Sequence, residues 1–169
     1  MCQPSGSLEI ICGPMFCGKT EELLRRLRRA TIARQKVQVF KPILDDRYHE
    51  TKVSSHAGGQ FEAIPIHQIT ELFDHLAPDT TLVAIDEAQF FNKILAEVCN
   101  RLADRGIRVI VAGLDMDFKG KPFGPMPELL AISEYVTKVH AICMKCGNLA
   151  QYSHRLSEED KLFVLGEKD

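Results

Sequence analysis

The stretch Gly13-Pro-Met-Phe-Cys-Gly18-Lys19-Thr20 constrains this chain more than any other. It lies between an apolar run at 8–12 and a helical pattern at about 20–35, where Leu23, Leu24, Leu27 and Ala30 share one face. The stretch fits G-x-x-x-x-G-K-[ST] at every fixed position, a pattern that requires a strand before it and a helix after it. Glycine lets the backbone turn tightly enough to aim consecutive N–H groups at phosphate oxygens. The helix N-terminus adds the positive end of its dipole, Lys19 reaches the β- and γ-phosphates, and Thr20 is placed to ligate Mg²⁺. The expected cradle is Gly13, Pro14, Met15, Phe16, Cys17, Gly18, Lys19 and Thr20, and its expected ligand is ATP or GTP. Nothing in the loop identifies the acceptor of a phosphate.

Beyond it, short apolar runs alternate with helical patterns, as βαβ units of a parallel sheet do. Strand character at 37–40 stops at Lys41-Pro42, and 45–60, with Gly58-Gly59, reads as a mobile loop or a hairpin. A helical patch covers 69–76, and a β-prone run at 81–85 ends on Asp86. Asn92 is placed to cap a helix reaching about 105, stopped by Gly106. A strand at 107–112 follows, then irregular chain through the prolines of 121–127, then a short helix at 128–135. From 136 the pattern turns strand-like around two close cysteines. The expectation is an α/β protein with a parallel sheet and helices on both faces, a core at 1–135 and a small second unit at 136–169. Arg25, Arg26, Arg28, Arg29, Arg34 and Lys36 on the first helix read as a solvated face, with a nucleotide or subunit contact as the alternative.

Composition removes other classes. With 169 residues, 45% hydrophobic and 26% charged, the chain has one domain's worth of core. Its 21 basic and 23 acidic residues argue against a protein held to nucleic acid by phosphate neutralisation. No apolar run approaches the ~18–20 residues of a membrane span, and the first residues carry no secretory pattern. Of the 6 cysteines only Cys143 and Cys146 have motif spacing, so the chain reads as soluble and reduced rather than disulfide-framed.

Two further groups carry chemistry. Leu82-Val-Ala-Ile-Asp86-Glu87 is an apolar strand delivering two acids at its C-terminal end, the edge where open α/β sheets bind ligands. Asp86 is placed to hold a metal, and Glu87 to accept a proton from a nucleophile. Cys143-Met-Lys-Cys146-Gly147 has the spacing of half a structural zinc site, although redox pairs share it. A closed site wants four ligands. His140 and His154 are possible substitutes, or simply surface histidines.

Together with Asp86-Glu-Ala-Gln-Phe90, Gly113-Leu-Asp-Met-Asp-Phe118, Lys121-Pro-Phe-Gly124 and the cysteine pair, the phosphate loop resembles type II (cytosolic, zinc-containing) thymidine kinases over essentially the whole chain. The resemblance implies a RecA-like P-loop core, a zinc-bearing lasso domain and a homotetramer in the cytoplasm. It implies thymidine as substrate, ATP with Mg²⁺, structural Zn²⁺ and feedback inhibition by dTTP. It makes Glu87 the base for the thymidine 5′-hydroxyl and extends the nucleotide contacts over Asp86, Glu87, Ala88 and Gln89. Met15, Phe90, Leu114 and Phe118 fall at the thymine pocket. Leu162, Phe163, Val164, Leu165 and Gly166 fall on the lasso that offers backbone hydrogen bonds to the base. The family carries a second cysteine pair further on, so a tail cut short at Asp169 is expected. Cys17 replaces the family's usual Ser at a position that supplies mainly its backbone N–H. Ala57 replaces an acid after His56, which puts one nucleotide or metal contact in doubt.

Two rivals remain open at this point. A P-loop ATPase that remodels nucleic acid with a zinc ribbon would share the loop and the cysteines, but would favour a basic surface with aromatic stretches. A regulatory nucleotide-binding module would have no use for a base beside the metal acid.

Overall fold

The computed structural model describes residues 6–44, 51–54 and 59–155. Through them the chain runs β1 (Ser7–Cys12), α1 (Lys19–Ile32), β2 (Val37–Pro42), β3 (Lys52–Ser54), β4 (Gln60–Glu62) and β5 (Ile64–Ile66). A 3₁₀ turn (Ile69–Glu71) leads into α2 (Leu72–His75), followed by β6 (Leu82–Ile85), a 3₁₀ turn (Ala88–Phe90) and α3 (Ile94–Asp104). Then come β7 (Arg108–Gly113), α4 (Met126–Ile132), β8 (Tyr135–Lys138), β9 (Ala141–Ile142) and β10 (Leu149–Ala150). Six strands make one sheet in the order β5-β2-β6-β7-β1-β8, every pair parallel. Their C-terminal ends therefore share one edge, and the segments after β1, β6 and β7 meet there. The expected α/β parallel sheet is what forms.

Strand residues alternate between two cores, as a period of two requires. On one face Leu8, Ile10, Val83, Ile85, Val109 and Val111 pack with Leu95, Val98 and Leu102 of α3 and with Met126 and Leu129 of α4. On the other, Ile11, Val39, Ala84, Ile110 and Ala112 pack with Leu23, Leu24, Leu27 and Ala30 of α1. Burying a side chain of this size stabilises by about 1.5–3 kcal/mol, so both helix layers are held by their apolar stripes. Glu9 breaks the pattern inside β1. It is buried, and it survives because Arg26 donates to its carboxylate at 2.9 Å and Arg108 donates from the neighbouring strand. Arg26 is thus turned inward, bonding Thr137 of β8 as well, while Arg25, Arg28, Arg29, Arg34 and Lys36 stay exposed on the solvated face.

Several boundaries depart from expectation. β2 runs on through Pro42, which pairs with Ile66 of β5 beyond the point where the β6 ladder has ended, so its missing N–H breaks no rung. α4 begins at Met126 and includes Pro127, because a proline in the first helical turn forfeits only an N–H that has no partner in the helix. The strand after it starts at Tyr135 and is the sixth strand of the main sheet, paired with β1. The expected division between 135 and 136 therefore cuts this strand, and the separate hairpin begins at β9, paired antiparallel with β10. The hairpin alternative for 45–60 holds where residues are described, since β3 and β4 pair antiparallel. Among the described residues no helix is long and apolar enough to cross a membrane.

Candidate active site

The phosphate loop joins β1 to α1, and its backbone leaves the ordinary regions at Gly13 (φ 148), Phe16 (φ 59) and Gly18 (φ 87). At Gly13 the need for glycine is also steric: a Cβ there would collide with the carbonyl oxygen of Val139, just after β8. Gly18 caps α1 in the left-handed conformation with no side-chain cap, so the first-turn N–H groups stay available to an anion. Lys19 folds back across the loop, its Nζ donating to the Pro14 carbonyl at 2.6 Å and lying 3.6 Å from Cys17 Sγ. Thr20 is half-buried beside it, while Met15 and Phe16 are exposed.

The strand-end acids stand on the same edge. Asp86 is 8% exposed. Burial pushes its carboxyl well above the usual carboxylate range and the neighbouring Glu87 charge adds to this, while Lys19 and Lys41 pull the other way. Lys19 therefore stands within electrostatic reach of Asp86. Glu87 takes a left-handed conformation (φ 52, ψ 40), rare for a residue with a side chain and often found where geometry serves chemistry. Ala88 and Gln89, expected among the nucleotide contacts, are 0% and 2% exposed. Ala88 packs in the core, and the Gln89 side chain bonds Glu87 and Leu114.

The residues expected around a base are spread over three segments. Leu114 follows β7 and is buried, its backbone N–H donating to Gln89 Oε1. Phe90 meets Phe123 edge to face at 5.7 Å between ring centres. Phe118 is half-buried, with the Arg155 guanidinium 3.9 Å over its ring. Ser153 Oγ accepts the Met15 N–H at 2.9 Å, so the segment from 153 to 155 touches both the phosphate loop and the Phe118 ring. Residues 162–166, and the departure at Ala57, lie outside the described residues.

Sequence reasoning missed Ser153, Arg155 and an ion pair at the sheet edge. Lys138, opposite Cys12 in the β1–β8 register, brings its Nζ to 2.8 Å from Asp115 Oδ2. No local pattern announces these contacts, because Ser153 stands 138 residues from its partner. Phe123 lies inside Lys121-Pro-Phe-Gly124, a stretch legible in the sequence.

Cys143 and Cys146 lie on the turn between β9 and β10. Gly147 (φ 73) donates its N–H to the Cys143 carbonyl and closes that turn. Both are free thiols, and backbone N–H groups of Cys146 and Lys145 lower the Cys143 pKa. Among the described residues no group of three His, Cys, Asp or Glu gathers, so neither His140 nor His154 completes a set with them.

Residues 6–169 match the family model described as thymidine kinase. A thymidine kinase of Bacteroides fragilis is 55% identical over 162 residues, which cover 96% of this chain and 81% of the relative. One from Porphyromonas gingivalis is 56% identical over 162 residues, covering 96% and 79%. A solved structure titled ATPase aligns with a TM-score of 0.48 at 14% identity, covering 81% of this chain and 66% of that one.

Proposed function

The chain belongs to the thymidine kinase family, and from that premise we propose that it moves the γ-phosphoryl group of ATP to the 5′-hydroxyl of thymidine, with Glu87 as general base. In that reaction the 5′-oxygen bonds to the γ-phosphorus as the bond to the bridging β,γ-oxygen breaks. ADP leaves, and the hydroxyl proton goes to Glu87. The observation that carries this reading is the convergence on one sheet edge of the phosphate loop, the buried Asp86 within the field of Lys19, and Glu87 beside it. A module that only binds a nucleotide has no need of the second acid.

Gly13 to Thr20 would bind the phosphates through backbone N–H groups and the α1 dipole, and the Lys19 ammonium would follow the phosphoryl group as its charge moves. Asp86 and the Thr20 hydroxyl fit a magnesium ion, because a buried carboxyl with a second acid beside it is what a hard cation relieves. When bound, magnesium neutralises phosphate charge. Met15, Phe90, Leu114 and Phe118 would enclose the thymine ring, with residues 162–166 supplying backbone hydrogen bonds to it. dTTP would inhibit by occupying the same residues.

The turn at Cys143 and Cys146 fits half a structural zinc site, since both thiols sit on one closed turn whose backbone N–H groups lower the Cys143 pKa. A closed site there needs two more ligands. The unit from β9 onward would then be the zinc-stapled lasso, and the assembly a homotetramer acting in the cytoplasm.

Incubation with ATP, Mg²⁺ and thymidine should yield thymidine monophosphate, with ATP turnover unaffected by single-stranded DNA. Glu87→Gln should retain ATP binding and lose about 10²–10⁴-fold in kcat. No monophosphate, or a Gln variant turning over at the parental rate, would overturn the assignment.

A further inference from the structure

Gln89 is almost fully buried on the 3₁₀ turn that follows the two acids, and its carboxamide is engaged at both ends. Oε1 accepts the Leu114 backbone N–H at 3.0 Å, and Nε2 donates to Glu87 Oε2 at 2.6 Å. A backbone N–H only donates and a carboxylate only accepts, so the amide has a single workable orientation. Its surroundings prevent it from shifting. A Cβ on Gly113 would stand 3.0 Å from Gln89 Oε1, and one on Gly124 would stand 2.5 Å from the Gln89 carbonyl oxygen. Glycine at both positions leaves room for this side chain and its backbone and nothing more.

An unrestrained carboxylate has two equivalent oxygens and a broad terminal torsion. A base in that condition spends much of its time turned away from the hydroxyl it must deprotonate, or turned toward nearby cations. We propose that Gln89 is a positioning residue for the base. By holding Oε2 of Glu87 it leaves Oε1 as the oxygen presented to the acceptor hydroxyl, and through Leu114 it ties that orientation to the end of β7. This rests on the assignment of Glu87 as base. An amide suits the role because it is uncharged and donates equally well before and after Oε1 takes the proton, so nothing in the support has to rearrange during turnover. Leu114, the other end of the link, belongs to the segment expected at the thymine ring. The part of the sheet that meets the acceptor base therefore also sets the direction of the general base.

The test is a double-mutant cycle on thymidine monophosphate formation, using Glu87→Gln, Gln89→Met, Gln89→Leu and the combinations. Gln89→Met should lower kcat about 10–100-fold, the range that follows from misaiming a catalytic group by about an ångström. The KM values for ATP and thymidine should stay within about threefold, because the interaction matters only in the transition state. Gln89→Leu removes both amide contacts at a similar volume, so it should fall as far, and it carries the comparison if the Met variant does not fold. In the Glu87→Gln background, Gln89→Met should cost no more than about twofold, since no base remains to be aimed. Parental kcat in the folded Gln89 variants would overturn the inference. An equal loss in both backgrounds would too, because a role in packing alone is blind to residue 87. Parental activity of Glu87→Gln by itself would refute the base assignment instead, so the two failures are told apart.

Discussion

Replacing Lys138 by methionine should destabilise the fold more than replacing its partner Asp115 by asparagine. The asymmetry comes from where the two charges sit. The Asp115 side chain is 6% exposed and the Lys138 side chain 45%. The ammonium stands 2.8 Å from Oδ2, and the carboxylate has no other side-chain or backbone donor among the described residues. The dry charge thus depends on a single wet one. Removing one partner of a fully buried pair costs about 3–5 kcal/mol. Here water can follow the shortened side chain toward the carboxylate, so about 1–3 kcal/mol is the reasoned loss for Lys138→Met. Asp115→Asn removes the buried charge itself and leaves Lys138 to solvent, for about 0–1.5 kcal/mol. Urea titration followed by far-ultraviolet circular dichroism reads both. With a slope of about 1–3 kcal/mol/M, Lys138→Met should bring the midpoint down by roughly 1 M. A Lys138→Met midpoint indistinguishable from the parent, or an Asp115→Asn variant that is the weaker of the two, would refute the reasoning.

Acid should expose a smaller effect at Glu22, whose carboxyl is held down to about 2, from 4.5, by hydrogen bonding to Arg25 first and Arg26 after it, against a partial desolvation. An acid depressed in the fold stabilises above its ordinary pKa and loses that contribution as pH falls. Parent and Glu22→Gln should therefore differ by up to about 1 kcal/mol at neutral pH, as exposed pairs do, and converge between pH 4.5 and 2 in denaturant titrations. In protein stripped of zinc, iodoacetamide followed by peptide mass should, among the described cysteines, label Cys143 and Cys146 first, then Cys17, with Mg-ATP protecting Cys17 by filling the loop. Cys12, pushed up to about 11 by burial and then Asp115, and Cys99, pushed up to about 12 by burial, should stay unmodified until the chain unfolds. Labelling of Cys99 in the native protein would contradict this.

What could be read from the chain were the features written in neighbouring residues. The apolar stripe of α1, the continuous runs of β1, β6 and β7, and the phosphate loop all declare themselves within a few positions. So do the ends of α3, where Asn92 Oδ1 accepts the Ile94 N–H at 3.2 Å. At its other end Gly106 turns left-handed as Ile107 N–H closes on the Leu102 carbonyl. What escaped was set by partners far along the chain. Strand character from 136 is legible, but nothing local assigns β8 to the main sheet: three of its four residues are exposed, and its place is set by the edge that β1 offers. Glu9 reads as a misplaced charge until Arg108, 99 residues on, is seen beside it. Gln89 resembled one more nucleotide contact by its place in the motif. Its use depends on Leu114, 25 residues away.

The position of β1 between β7 and β8 has a consequence for how the protein comes off the ribosome. The Leu8 N–H is bound by the Glu134 carboxylate, 126 residues later. At roughly 5–20 residues per second the first strand waits roughly 6–25 s for that partner to be made. Until β7 is made both edges of β1 are open, and from then until β8 follows one still is, although Ile10 and Ile11 are fully enclosed in the finished sheet. The neighbour that Gly13 grazes, Val139, is also still to come. The nascent chain thus carries a complete phosphate-loop sequence long before it has the loop's shape, and ATP can help only the last stage of its folding.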